Sequence, residues 1–516
     1  MNSLKYISLF CLLCGQLWAQ NISVSNLTAS FSLNNNRLTV VYDLAEADMM
    51  PVEVVLRVSD DNGQSFLLPT ANAFGDVGPN VATGTNRVIY WDAAAPLPIS
   101  LLKVAVIAIR PEVFPLDAFS SQVDSARMLA DFGWMATLRQ RNQNPQQLAL
   151  VKDSIRLHLL RYGFDVSLQN NQVGNYTLQN IIGKQKGLVN ERLTYVIDGH
   201  YDAVSNSPAA DDNASAVVGF LEAARILSQF TFRNSIQVVG FDLEEEGLIG
   251  SNYFVQQLTN GTDSIAGVIN LEMIGYFDDA PNSQTLPTGF NQLFPNAYNQ
   301  VANDQFRGNF ITNVGNEANL IQTFDSVAAL YVPALKVVTV DVPGNGSITP
   351  DLRRSDHASF WDANIPALMI TDAADFRNPN YHSPNDTVGS LDLGFMKQVV
   401  QASVASMAAL AKPISAAADT TDVAMQNTSV ATDIDCRPKI IWQNDQLRIK
   451  WAGSNCSSII EAIHLIDLQG RTVAKSLTPN QPDAFSAQIS QQASGLYLLQ
   501  LTLGQQQYVK KLWIGR

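Results

Sequence analysis

The chain has 516 residues, a hydrophobic fraction of 46% and a formal net charge of -14. That length exceeds one ordinary core and predicts about three domains of globular composition. The negative balance argues against nucleic acid and anionic membrane surfaces as partners.

The N-terminus reads as a secretory signal peptide over residues 1–19. Lys5 precedes the apolar run Tyr6 to Trp18, and Ala19 suits the last position before a cut, although Leu17 is large for the position two before it. The run falls short of the roughly 20 apolar residues of a membrane-spanning helix, and no later stretch has that character. A lipid anchor would use Cys14, but Leu13 stands before it where a small residue is expected. Cys11 and Cys14 leave with the signal. Cys436 and Cys456 remain, and an exported chain permits either a disulfide between them or two unpaired thiols.

Residues 20–111 read as all-β. Arg37 to Asp43 and Val52 to Val58 alternate apolar and polar, and Asn86 to Trp91 and Leu102 to Ile109 supply further strands. Turns fall at Asp60 to Gly63 and Gly75 to Gly78. Short strands at this spacing predict an immunoglobulin-like β-sandwich, with Tyr42, Tyr90 and Trp91 as core or sheet-face aromatics. The stretch resembles small β-domains that precede catalytic modules in exported bacterial proteins.

Residues 112–412 change character. Ser120 to Gln140 and Gln146 to Tyr162 carry apolar residues at helical spacing, and Gly163 ends the second. Strands are then expected at Thr194–Ile197, Ile236–Phe241, Ile265–Leu271, Leu335–Thr339 and Ala367–Thr371. Helices are expected at Ala214–Leu227, Ser251–Leu258, Glu317–Leu330 and Leu391–Leu410. This alternation predicts an α/β fold, a mixed and mostly parallel sheet flanked by helices. Residues 413–436, rich in Ser, Ala, Thr and Asp, read as a linker. Residues 437–516 return to strands and a second small sandwich.

In open α/β sheets the site lies at the carboxyl ends of the strands, and here those ends collect ligand-type residues. The first strand ends at Gly199-His200-Tyr201-Asp202. Asp211-Asp212-Asn213 precedes a helix and exceeds what a helix cap needs. Glu244, Glu245 and Glu246 follow the second strand, Glu272 closes the third, and Tyr381-His382 lies in a loop before the last long helix. Three of the five histidines in the chain are His200, His357 and His382. A carboxylate-rich set with few histidines suits a pair of zinc ions held close together, whereas the single-zinc His-Glu-x-x-His motif is absent.

These motifs, in this order, resemble the co-catalytic di-zinc aminopeptidases, a family that includes bacterial leucyl aminopeptidases and is related to glutamate carboxypeptidase II and the glutaminyl cyclases. The resemblance covers about residues 115 to 412. It implies two zinc ions per chain, one held by His200, Asp212 and Glu272 and the other by Asp212, Glu245 and His382, with Asp212 as the bridge. It implies Glu244 as general base over a shared water, Asp202 as the residue orienting His200, and Tyr381 as a stabiliser of the developing oxyanion. Asp356 and His357 match a motif of structural support, Glu246 falls at a variable position, and the peptide bond after Asp212 is often cis in relatives. Glu272 stands where many relatives have Asp, and Ala216 where many have Gly.

The C-terminal sandwich resembles the sorting domain of type IX secretion through Leu468 to Arg471, Ser494 to Tyr497 and Val509 to Ile514. The expected protein is therefore a secreted or surface-attached zinc exopeptidase, most simply an aminopeptidase. Its partners are peptide substrates and the export machinery that recognises the C-terminal domain. A carboxypeptidase or glutaminyl cyclase on the same fold, or a non-catalytic surface adhesin, are the alternatives. The loops Asp278 to Gly308 and Gly344 to Arg354 are expected to form the specificity pocket.

Overall fold

The structure, a computed structural model, describes residues 22–415 apart from 33–34, 96, 112 and 259–262, together with residues 417–424 and backbone strands between 438 and 514. The expected signal peptide and both Cys436 and Cys456 lie outside the described residues. The chain divides into two compact units at residues 426/427.

The first unit opens with strands β1 (Ile22–Ser32), β2 (Arg37–Glu46), β3 (Val52–Ser59), β4 (Phe74–Gly75), β5 (Gly78–Val81), β6 (Gly84–Asp92) and β7 (Lys103–Ile109). Burial alternates along β2 and β3, as period-two patterning requires. Leu38, Val40, Tyr42, Val52, Val58 and Trp91 join one core. Two sheets form, ordered β1-β2-β6-β4 and, with the far downstream strand β18 (Ala417–Ala424), β18-β7-β3-β5.

The α/β part follows with α1 (Asp117–Ser120), α2 (Ser125–Met135), α3 (Pro145–Arg161), β8 (Asp165–Val173), β9 (Tyr176–Gln185), β10 (Asn190–His200), α4 (Ala216–Leu227), β11 (Thr231–Phe232), β12 (Asn234–Phe241), α5 (Ile249–Leu258) and β13 (Ser264–Glu272). Then come α6 (Phe290–Leu293), α7 (Pro295–Asn303), β14 (Ile311–Gly315), α8 (Ala318–Tyr331), β15 (Val337–Asp341), α9 (His357–Asp362), β16 (Ala367–Thr371), α10 (Leu393–Ala411), β17 (Pro413–Ile414) and β18 (Ala417–Ala424). Eight strands make one mixed sheet in the order β15-β14-β16-β13-β10-β12-β9-β8. Its middle is parallel, β16 with β13, β13 with β10 and β10 with β12. Every residue of β12 is buried, the signature of a central strand covered on both faces. All but one residue of α4 is likewise buried, so this helix is wrapped by sheet and neighbouring helices rather than amphipathic.

The structure departs from the expectation in several places, β1, α7 and β14 among them, which lie where no element was expected. The helix expected over Ser120 to Gln140 runs only from Ser125 to Met135, starting where the Asp124 side chain accepts the Ala126 N–H. The hairpin of β8 and β9 was not foreseen: β8 faces solvent along most of its length and carries Gln and Asn where alternation would mark a strand. Residues 417–424, inside the expected linker, instead form β18, paired antiparallel with β7. The first sandwich is thus completed by chain that follows the α/β part.

In the second unit, strands β19 (Pro438–Gln443), β20 (Gln446–Trp451) and β23 (Ala484–Gln488) make one antiparallel sheet, and β22 (Thr472–Ser476), β21 (Ile460–Ile466), β24 (Gly495–Leu503) and β25 (Gln506–Ile514) make another.

Candidate metal centre

Three adjacent strand ends build the site. His200 is the last residue of β10 and Glu272 the last of β13, while Glu244 and Glu245 follow the end of β12. Gly199 makes the closeness possible: a Cβ there would stand 2.8 Å from the Ala216 Cβ and 3.1 Å from the Leu271 carbonyl oxygen. The start of α4 can therefore press against the strand end and bring Asp212 over it. The Asp212–Asn213 peptide is cis.

Asp212 stands between two histidines. Its Oδ1 lies 3.3 Å from His200 Nε2 and its Oδ2 lies 2.9 Å from His382 Nε2. On the His200 side, Glu272 Oε2 is 3.5 Å and Glu244 Oε2 3.8 Å from the same Nε2. On the other side, Glu245 Oε2 is 3.3 Å from His382 Nε2. Ligand-type atoms of His200, Glu244 and Glu272 all lie within 4.8 Å of one another, as do those of His200, Asp212 and Glu245. All eight residues expected at the site are thus brought to one place, Tyr381 by stacking on the His382 ring with centroids 3.7 Å apart.

The supporting contacts are as informative. Asp202 lies 3.4 Å from His200 Nδ1 and accepts the backbone N–H groups of Glu244 and Glu245, both at 3.2 Å. One carboxylate therefore ties the β10 end to the glutamate turn. Glu272 Oε2 accepts from Asn213 Nδ2 at 3.0 Å and from Ser355 Oγ at 2.7 Å. Four non-glycine residues in left-handed backbone flank the ligands, with φ of 52° at Ala209, 60° at Leu243, 47° at Met273 and 54° at His382. Each costs roughly 1–2 kcal/mol, a load the surrounding contacts must hold in place.

The electrostatics describe a centre that wants positive charge. Burial, then neighbouring carboxylates, push Glu244 well above the ordinary range and Glu245 up to about 7. Burial alone would lower His200 and His382. The surrounding carboxylates reverse this, lifting His200 well up and His382 to about 10. Buried Glu245 Oε1 has no hydrogen-bond partner. A carboxylate oxygen held out of water without a donor is costly, and a divalent cation satisfies it. The donor set, imidazole nitrogen and carboxylate oxygen, is the one zinc takes.

Some residues sit elsewhere than the ligands. His357, at the start of α9, is fully buried, places Nε2 2.9 Å from the Leu352 carbonyl and packs edge-on against Trp361. Asp356 is buried with it, and burial raises its carboxyl to about 7. Glu246 turns away and accepts from the Tyr176 hydroxyl at 2.9 Å.

Two residues have a part here that the sequence did not assign. Arg139 is fully buried, and its guanidinium donates to the carbonyls of Tyr201, Met135, Thr137, Pro208 and Ala209, which clamps the loops carrying Asp202 and Asp212. An arginine beside Gln140 and Arg141 looks like a solvated helix end, and nothing in the sequence marks it. Asp386, which the sequence places in the same polar loop as His382 but without a role, accepts the backbone N–H groups of Asp211 and Asp212 at 2.8 and 3.1 Å.

Beside Glu272 and Tyr381 opens a cleft lined by Leu286, Phe290, Phe310, Val314, Leu352 and Met369. Both loops expected to form a pocket contribute to it. No helix among the described residues is long and apolar enough to cross a membrane.

With this geometry the comparisons agree in class. Residues 180–407, which contain all eight site residues, match peptidase family M28, and residues 443–515 match the secretion system C-terminal sorting domain. The α/β part is thus similar to that family of peptidases, and the C-terminal strands to that sorting domain. It is 36% identical over 217 residues to the uncharacterized protein YfbL of Escherichia coli, covering 40% of this chain and 63% of that one. It is 24% identical over 366 residues to a probable zinc metalloprotease of Pyrenophora tritici-repentis, covering 64% and 71%. It is 37% identical over 114 residues to the aminopeptidase YwaD of Bacillus subtilis, covering 22% and 25%. The chain thus spans less than two thirds of the Escherichia coli protein and a quarter of the Bacillus one.

Proposed function

We propose that the mature chain is an exported di-zinc aminopeptidase that removes the N-terminal residue of peptides. The observation that carries this is the position of Asp212, one oxygen facing His200 and the other facing His382. His200, Asp212 and Glu272 would hold one zinc, and Asp212, Glu245 and His382 the other. When bound, the pair supplies Lewis acidity toward the attacking water and the scissile carbonyl. Glu244 takes a proton from that water and later gives it to the leaving amine. Asp202 fixes the orientation of His200 through Nδ1, leaving Nε2 for the metal. Tyr381 donates a hydrogen bond to the oxygen that becomes negative.

The apolar cleft beside Glu272 and Tyr381 would take the side chain of the N-terminal residue, which favours Leu, Met and Phe over Lys and Glu. The 37% identity over 114 residues to the aminopeptidase YwaD of Bacillus subtilis supports the class of reaction. The sorting domain supports delivery by type IX secretion, ending as a released or surface-attached enzyme.

The test is an activity panel on purified mature protein. It comprises free aminoacyl substrates, an N-blocked leucyl substrate, a C-terminal glutamate peptide and an N-terminal glutamine peptide. Activity on unblocked leucyl and phenylalanyl substrates, abolished by a chelator and restored by zinc, is expected. Turnover of the blocked peptide, or cyclisation of N-terminal glutamine as the main reaction, would contradict the proposal.

A further inference from the structure

At the rim of the cleft, Arg354 makes two directed contacts. Its Nη2 donates to the Tyr381 hydroxyl oxygen at 3.1 Å, and its Nη1 donates to Asp375 Oδ1 at 2.9 Å. Its guanidinium carbon also lies 5.6 Å from the centre of the Tyr381 ring. Tyr381 is in turn stacked on His382, whose Nε2 faces Asp212 and Glu245. A row of side chains therefore runs from Asp375 through Arg354 and Tyr381 to the metal ligands.

The chemistry of the Tyr381 contact is directional. An arginine has donors only. A phenol oxygen that accepts from it must direct its own hydrogen elsewhere, and no protein acceptor takes that hydrogen among the described residues. The phenol is thereby fixed as a donor, beside a cleft whose lining includes both Tyr381 and Glu272. A planar guanidinium suits this because two nitrogens of one rigid fork engage two partners at once.

We infer that Arg354, anchored by Asp375, is a positioning residue that holds the Tyr381 hydroxyl as a hydrogen-bond donor toward the reacting carbonyl oxygen. This rests on the role given to Tyr381 under the proposed function. Arg354 lines the same cleft, but its two directed contacts are with protein groups, so it acts through Tyr381 and its loss is expected to lower kcat and leave KM alone.

The test is a double-mutant cycle on the zinc-loaded full-length mature enzyme, with Tyr381→Phe, Arg354→Met and the pair, followed on a leucyl substrate at fixed pH. Tyr381→Phe is expected to lower kcat about a hundredfold, the scale of losing one oxyanion donor. Arg354→Met is expected to lower kcat by about tenfold, with KM within about twofold and zinc content unchanged, the drop being part of the effect that Tyr381 supplies. In the Tyr381→Phe background the arginine change should have no further effect on kcat. Arg354→Lys, which keeps a cationic donor but not the two-nitrogen fork, should recover part of the loss. Additive effects of the two changes, or a rise in KM as the main effect of Arg354→Met, would overturn the inference while leaving the role of Tyr381 intact. A Tyr381→Phe enzyme with unchanged kcat would overturn both, and the peptidase assignment would still stand on the activity of the unaltered chain.

Discussion

Asp202 accepts the backbone N–H of Glu244 at 3.2 Å, so the group proposed to orient His200 also fixes the turn that carries the proposed base. The base and the first histidine are therefore set by one carboxylate, and the two can be separated by substitution.

Glu244→Gln keeps the shape of the side chain and removes its ability to take a proton. Turnover is expected to fall by roughly 10²–10⁴, with zinc content unchanged by elemental analysis. Near-normal hydrolysis by this variant would move the base to another residue.

Asp202→Asn removes the charge beside His200 and leaves one oxygen to serve two backbone donors. Zinc affinity is expected to fall by about 10–100-fold, read by competition with a chelating dye. An unchanged affinity would show that Asp202 does not act through His200. Glu246→Gln, by contrast, touches only the contact from Tyr176 and is expected to leave affinity and turnover unchanged.

Arg139→Met would strand carbonyl acceptors that are buried around it. Leaving even two without a donor costs several kcal/mol at about 1–3 kcal/mol each. The urea midpoint of the metal-free chain is expected to drop accordingly, and Arg139→Lys to recover only part. A midpoint equal to that of the unaltered chain would mean water replaces the guanidinium.

Burial lowers His357 from its ordinary 6.5 to about 4. Its folded value is below its unfolded one, so the neutral form is favoured by folding. The contribution is fully present above pH 6.5 and is lost as pH falls to 4, a loss of roughly 3 kcal/mol for a fully buried group. Other acid-labile contacts change in the same window, so the reading is a difference. The stability gap between the unaltered chain and His357→Gln should close from pH 7 to pH 4. A gap constant across that range would refute the assignment.

Much of this was legible because the proposed ligands follow hydrophobic strands. Ile236 to Phe241 is an apolar run that can only be a covered strand, so Glu244 and Glu245 had to emerge at its end. Glu272 closes Ile265 to Leu271 in the same way. The spacing of Gly199, His200 and Asp202 carried its own geometry. What stayed hidden depends on contacts between distant segments. Arg139 meets carbonyls about 60 to 70 residues away, and no local pattern encodes that. Residues 417–424 became a strand because β7 presents an edge there, not because Asp419, Thr420 and Thr421 spell one. The β8 strand was concealed by its polar composition, since a hairpin lying largely in solvent has little need of alternation.

Asp212 is proposed to lie between two zinc ions. Anomalous diffraction at the zinc edge from zinc-loaded crystals tests it most directly. Two peaks are expected, one among His200, Asp212 and Glu272 and the other among Asp212, Glu245 and His382. A single peak on the His200 side, with Asp212 binding through one oxygen only, would contradict the account.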